Sequence, residues 1–336
     1  MVQARRISTA RIVRLSHPLA FAAFLKQIGA PVNKYFRRHG LPTQCDDPNV
    51  FVPQKAAWSL FDAAGRAEDE TVGWHVGQFV GERNLNAGLL SKFDHSPTLY
   101  HGLRDFAVLV RSEASHLRLG LHEREDDVLF YTQYPDMQGV PGYHVSQGYQ
   151  IQVYLALVRH FIGPDWLPTE IGLECPDIPA GLEDRFPGTR ILTNQRFGYF
   201  AIPRNFLHLP GCGVTIGDVY AEDELVMADQ FDFVQTLCAL LQGYLPKGYP
   251  SAELAASLMD MSVRTLSRRL AGRKLSYSAV VDEVRFKRAR ELLANSDMMI
   301  ENVGRAVGFD DASHFARMFR RIGGLSPAQF RLPGGS

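Results

Sequence analysis

Two stretches near the C-terminal end decide the fold: TLSRRLAGRKLS at Thr265–Ser276 and HFARMFRRIGGLSP at His314–Pro327. They are copies of one pattern. Leu266 aligns with Phe315, Arg268 with Arg317 and Leu270 with Phe319. Large apolar residues four apart line one face of a helix, and helical spacing puts the arginines opposite them. Each copy follows a short helical segment and a turn: AELAASLMDMS before the first, IENVGRAVGFDDAS before the second. Met261–Ser262 marks the first turn and Gly308–Phe309–Asp310 the second. A short helix, a tight turn and a second helix opening on Ser or Asp is the helix-turn-helix plan. In that plan the N-terminal part of the second helix enters a major groove of double-stranded DNA.

The segment between the copies, SYSAVVDEVRFKRARELLAN at Ser276–Asn295, reads as one helix. Twenty residues at about 1.5 Å each give a spacer of about 30 Å. Such a spacer suits two recognition helices about one DNA turn, or about 34 Å, apart. The charge distribution agrees. The whole chain of 336 residues has 36 basic and 36 acidic residues, a net of zero. Residues 228–336 nevertheless hold 15 basic against 11 acidic residues, and residues 1–227 hold 21 against 25. From Ser262 to Arg290 nine basic residues face two acidic ones, Asp282 and Glu283. A focused basic stretch is what binding to phosphates requires, since each neutralised phosphate releases a counterion. Charge alone also fits a solvated helix face.

The run SVRTLSRRL, then VRFKRARELL, then VGFDDASHFARMFRRIGGLSPAQFR resembles the AraC/XylS family of bacterial transcription regulators. The resemblance covers about the last hundred residues. It includes Gly308–Phe309, the Ser-x-Phe-x-Arg-x-Phe spacing at Ser313–Phe319 and Gly-x-Ser-Pro at Gly324–Pro327. It implies base contacts by Arg264, Ser267 and Arg268 from the first recognition helix, and by Ala312, Ser313, Ala316 and Arg317 from the second. Arginine reads guanine through O6 and N7. Arg269, Arg320 and Arg321 are placed for phosphates, and Arg273 and Lys274 add further phosphate contacts. Two departures stand out. Gly304 occupies a position where the family usually has Ala, at about 1 kcal/mol of helix propensity. Gly272–Lys274 replaces the more usual Glu-Gly-Thr type of turn. Arg285, Lys287, Arg288 and Arg290 circle the spacer helix, so only some of them can face DNA.

Upstream, the pattern is mixed. Residues 1–13 read as a frayed tail. Helical patterning runs over His17–Ile28, Val32–His39, Gln54–Ala67 and Thr71–Gly81. Ser96 is an N-cap candidate, with Pro97 at the first position of a helix reaching Ala114. Apolar and polar residues then alternate on both sides of EREDD, which predicts a β-hairpin of Leu117–His122 and Val128–Tyr134. A helix follows over Val145–Phe161, then short strands at Thr169–Glu174, Arg190–Leu192 and Tyr199–Ile202. The expectation is an α+β domain, a helical subdomain plus an antiparallel sheet with helices, over residues 14–210. A linker over 211–227 and an all-α double helix-turn-helix domain over 228–332 complete the chain. Leu15–Leu209 also resembles the arabinose-binding type of N-terminal domain that accompanies many family members. That resemblance implies a small-molecule effector of unassigned identity. Tyr131, His144, Gln147 and Tyr149, near the hairpin end and the following helix, are the candidate effector residues.

Other classes find little support. Cys45, Cys175, Cys212 and Cys238 form no CxxC pair, which argues against a zinc site or a disulfide framework and for reduced thiols in the cytoplasm. The histidines show no HExxH spacing, and GxSxG, GxGxxG and P-loop motifs are absent, so no cofactor or metal is expected. The basic start before Leu19–Leu25 lacks a signal-peptide cleavage motif, and no apolar stretch reaches membrane-span length. The rival reading is an enzyme, such as a cysteine-dependent repair protein, with an appended DNA-binding domain. RNA polymerase and a second copy of the chain are the further expected partners.

Overall fold

The computed structural model describes residues 10–43, 45, 47–82, 96–210 and 231–331. They fall into two compact units. One, the sheet unit, holds residues 17–39 and 54–210; the other, the helical unit, holds residues 10–16, 40–53 and 231–331. The expected linker, and the expected boundary at 228, lie outside the described residues.

The sheet unit opens with helices α1 (Ser16–Gln27), α2 (Val32–Arg38), α3 (Gln54–Ala67), α4 (Val72–Glu82) and α5 (Leu99–Leu109). The start of α5 differs from the expectation. Thr98, not Ser96, is the N-cap, and its hydroxyl accepts from the His101 N–H. Ser96 is wholly buried and engaged elsewhere, while Thr98 has the extended backbone that a cap requires. The helix also ends early, passing at Val110–Ser112 into a 3-10 turn.

Strands β3 (Arg118–Glu123), β4 (Asp127–Gln133), β5 (Glu170–Gly172), β6 (Arg190–Leu192) and β7 (Gly198–Pro203) form one sheet in the order β3-β4-β7-β5-β6, with the short helix α7 (Leu182–Arg185) lying between β5 and β6 in the chain. Its pairs are antiparallel except β5 with β6, which run parallel. Alternation along β4 sorts its side chains. Phe130 and Thr132 face the long helix α6 (Tyr143–Ile162), where Phe130 meets Tyr154 and the Thr132 hydroxyl donates to Gln150. Leu129 and Tyr131 lie on the other face with Phe197, Tyr199 and Ala201. Helix α4 packs backbone to backbone on α6: a Cβ on Gly73 would lie 2.0 Å from the Val145 carbonyl oxygen.

The helical unit draws on both ends of the chain. Strand β1 (Ile12–Arg14) pairs antiparallel with β2 (Phe51–Pro53). Ile12 is fully buried, so residues 12 and 13 are not part of a frayed tail. A three-residue strand is too short to show alternation, which is why it escapes a pattern reading. This ribbon packs beside helix α8 (Phe233–Gln242), with the Phe51 and Phe231 rings 5.6 Å apart. The Tyr244 hydroxyl donates to the Gly40 carbonyl at 2.7 Å. The remaining helices are α9 (Ala252–Leu258), α10 (Val263–Ala271), α11 (Tyr277–Asn295), α12 (Ile300–Ala306), α13 (Ala312–Gly323) and α14 (Pro327–Arg331). Among the described residues, no helix is long and apolar enough to cross a membrane.

Candidate nucleic-acid interface and ligand cleft

Each helix-turn-helix unit is built by local rules. In the first, Ser251 caps α9 and Ser262 caps α10, the latter accepting from the Thr265 N–H at 3.2 Å. In the second, the Asp311 carboxylate accepts from the His314 N–H at 2.8 Å and opens α13. That bond leads the causes that hold the Asp311 carboxyl below its ordinary pKa. Each cap contributes about 1 kcal/mol. Leu266, Leu270, Phe315 and Phe319 are buried, and each such side chain stabilises the unit by about 1.5–3 kcal/mol.

Fixing those residues inward turns the others out. Arg264, Ser267 and Arg268 are exposed on α10, and Ala312, Ser313 and Arg317 on α13. Ala316 is half-buried beside them. Arg264, Arg268 and Arg320 make no ion pair among the described residues. The two recognition helices are joined by α11, whose 19 residues span about 28 Å.

The other basic residues divide by environment. The Arg269 and Arg273 guanidiniums both lie over the Phe233 ring, at 5.3 and 5.1 Å. Arg321 is ion-paired with Asp282. Lys274 is exposed. On α11, Arg290 is exposed, Lys287 pairs with Glu283, and Arg288 pairs with Asp47 and Glu291. Arg285 points inward: it is 5% exposed, burial lowers its pKa, and its ring neighbours are Phe309 at 4.2 Å and Tyr249 at 5.0 Å.

In the sheet unit a cleft of about 450 Å³ opens between α3, α4, the start of α6 and the Leu173–Pro179 loop. Trp74, Val145 and Leu173 provide apolar wall, and Asp62, Arg66, Glu70 and Asp177 provide charge. Asp62 and Arg66 pair at 2.9 Å. Of the candidate effector residues, His144 and Gln147 line this cleft. Burial lowers the His144 pKa from its ordinary 6.5, which favours the neutral imidazole, against the opposing pull of Glu174. The Gln147 amide is already held, donating to the Glu174 carboxylate at 3.0 Å and accepting from the Glu174 N–H at 3.1 Å. Tyr131 lies on the far face of the sheet, and Tyr149 is buried with its hydroxyl 3.1 Å from His17. Sequence reasoning missed Trp74, Glu70 and Asp177. They come from separate segments, and no local pattern joins them.

Residues 255–332 match the model of a helix-turn-helix domain, and residues 29–210 match that of the arabinose-binding domain of AraC transcription regulators. The second match alone covers more than half of the chain. The chain belongs to the AraC family of transcription regulators. Among its curated AraC-type relatives, the regulator VqsM of Pseudomonas aeruginosa is 36% identical over 87 residues, covering 26% of this chain and 27% of that protein. The regulator VirS of Mycobacterium tuberculosis is 31% identical over 120 residues, covering 36% of this chain and 35% of that protein. These matches therefore span only about a quarter to a third of the relatives' length. Similar solved structures include the regulator CdpR of Pseudomonas aeruginosa, 19% identical, covering 90% of this chain and 96% of that chain with a TM-score of 0.34. Another is the DNA-binding domain of AdpA in complex with a target DNA, 27% identical, covering 30% of this chain and 91% of that chain with a TM-score of 0.26. The AraC-family chain thus combines a sheet-containing N-terminal region with a C-terminal pair of helix-turn-helix units.

Proposed function

We propose that this AraC-family chain binds specific double-stranded DNA and regulates transcription under control of a small-molecule effector. The observation that carries it is the outward set on the two recognition helices: Arg264, Ser267 and Arg268 on α10, and Ala312, Ser313 and Arg317 on α13, with Ala316 at the margin. These residues read base edges. Arg273, Lys274, Arg320 and, in part, Arg269 and Arg321 contact phosphates. The effector occupies the cleft that His144 and Gln147 line, and shifts the population between DNA-competent and incompetent arrangements. Homodimerisation, contact with RNA polymerase and residence in the cytoplasm belong to the same reading.

Cysteine chemistry fits poorly. Burial pushes the Cys175 and Cys238 thiols up to about 11, far from the thiolate that a reactive cysteine requires. Cys212 lies outside the described residues. The test of the main reading is selection of bound duplexes from a random pool, followed by footprinting. Two protected major-groove segments one turn apart are expected. Recovery of no shared sequence counts against it.

A further inference from the structure

The cleft of the sheet unit has an unbalanced charge. Asp62, Glu70 and Asp177 line it against a single cation, Arg66. Arg66 is already engaged with Asp62 at 2.9 Å, and its side chain is 74% exposed. Glu70 and Asp177 make no ion pair among the described residues. Their sign is felt inside the cleft. Burial leads the causes that raise the Cys175 thiol, another lining group, and the charges of Asp177 and Glu174 add to it. His144 brings no balancing charge, because burial favours its neutral form.

The remaining wall is largely apolar. Besides Trp74, Val145 and Leu173, the loop beside Asp177 contributes Ile178, a large apolar side chain left 36% exposed. The Gln147 amide, which a sugar hydroxyl would need, is held by Glu174 at both its nitrogen and its oxygen. A sugar carries a hydroxyl on nearly every carbon, and hydroxyls buried without partners oppose binding. Arabinose, the sugar in the description of the matched domain, therefore fits these walls poorly. A carboxylate or phosphate would meet charge of its own sign. A cleft lined by one sign of charge with apolar walls concentrates ions of the opposite sign.

We propose that this cleft selects an amphiphilic amine, its ammonium group toward Glu70 and Asp177 and its apolar body against Trp74, Val145 and Ile178. The inference rests on reading the cleft as the effector site and names the class of ligand that the site takes. Neutral sugars and organic anions are disfavoured.

The test is calorimetric titration of the full chain with tryptamine, indole-3-propionate and L-arabinose. The first two share an indole ring and a short alkyl chain but differ in charge. Tryptamine should bind more tightly than either of the others. The double variant Glu70→Gln, Asp177→Asn should weaken tryptamine about 5–10-fold. Both side chains are exposed, so the fold tolerates the change. Tryptamine affinity unchanged in the double variant overturns the proposal. So does tighter binding of indole-3-propionate or L-arabinose, or no tryptamine binding at millimolar concentration. Affinity for a selected duplex, measured with and without tryptamine, separates the underlying reading. Tryptamine that binds as expected but leaves duplex affinity unchanged removes the effector role while the preference for cations stands.

Discussion

The Arg285 guanidinium donates to the Gly308 carbonyl at 2.6 Å from inside the helical unit. The contact ties the spacer helix to the turn of the second helix-turn-helix unit. Removing the side chain leaves that carbonyl without its partner, a cost of about 1–3 kcal/mol. Arg285→Met should lower stability by that order in urea titration and weaken binding at the second half of the site. A variant as stable as the parent contradicts this account.

Gly308 is the other half of the joint. At φ +82° its missing Cβ would lie 2.5 Å from the Leu245 carbonyl oxygen and 2.7 Å from that of Gly248. Gly308→Ala should therefore cost more than about 2 kcal/mol, combining strain with a backbone clash. Gly304 differs. The nearest atoms to its Cβ would belong to the Phe315 side chain, the closest at 3.2 Å, and not to backbone. The helix propensity gained by Gly304→Ala, about 1 kcal/mol, is then largely offset by that close contact. Thermal melts of the two variants should rank Gly308→Ala far below Gly304→Ala; equal losses contradict the packing argument.

The sheet unit should soften in mild acid. Burial lowers the pKa values of His39, His75 and His144 from their ordinary 6.5. Below that value the unfolded chain binds protons that the folded chain resists, so stability falls with pH. The contribution is intact above about pH 6.5 and declines as the pH drops toward the lower folded values. Melting temperatures between pH 7.5 and 5 should show that decline. A flat profile would mean that burial leaves these imidazoles free to protonate.

Gly73 tests the close packing of α4 on α6. An added methyl would overlap the Val145 carbonyl, 2.0 Å away, and backbone cannot yield as a side chain does. Gly73→Ala should lower the melting temperature of the sheet unit. Retained stability would mean that the two helices can move apart.

Much of this was legible in the sequence, for local reasons. Ser262 and Asp311 sit where a helix start needs an acceptor, so the recognition helices and their outward residues follow from the caps and the Leu266/Phe315 repeat. The hairpin of β3 and β4 matches its alternating pattern to within a residue or so. What escaped is non-local. The strand Ile12–Arg14 becomes one only against Phe51–Pro53, far along the chain. Arg285 looks like its basic neighbours until packing turns it inward. The cleft joins Trp74 to Asp177 across a hundred residues, and Tyr149, one turn from Val145 on the same helix, faces His17 instead.

The most direct measurement compares Arg268→Ala and Arg317→Ala on a selected binding site and on random duplex. Base reading predicts a loss of about 1–3 kcal/mol on the selected site, with specificity relaxed at one position per variant and little change on random DNA. Equal losses on both duplexes would contradict the assignment of these arginines as base readers.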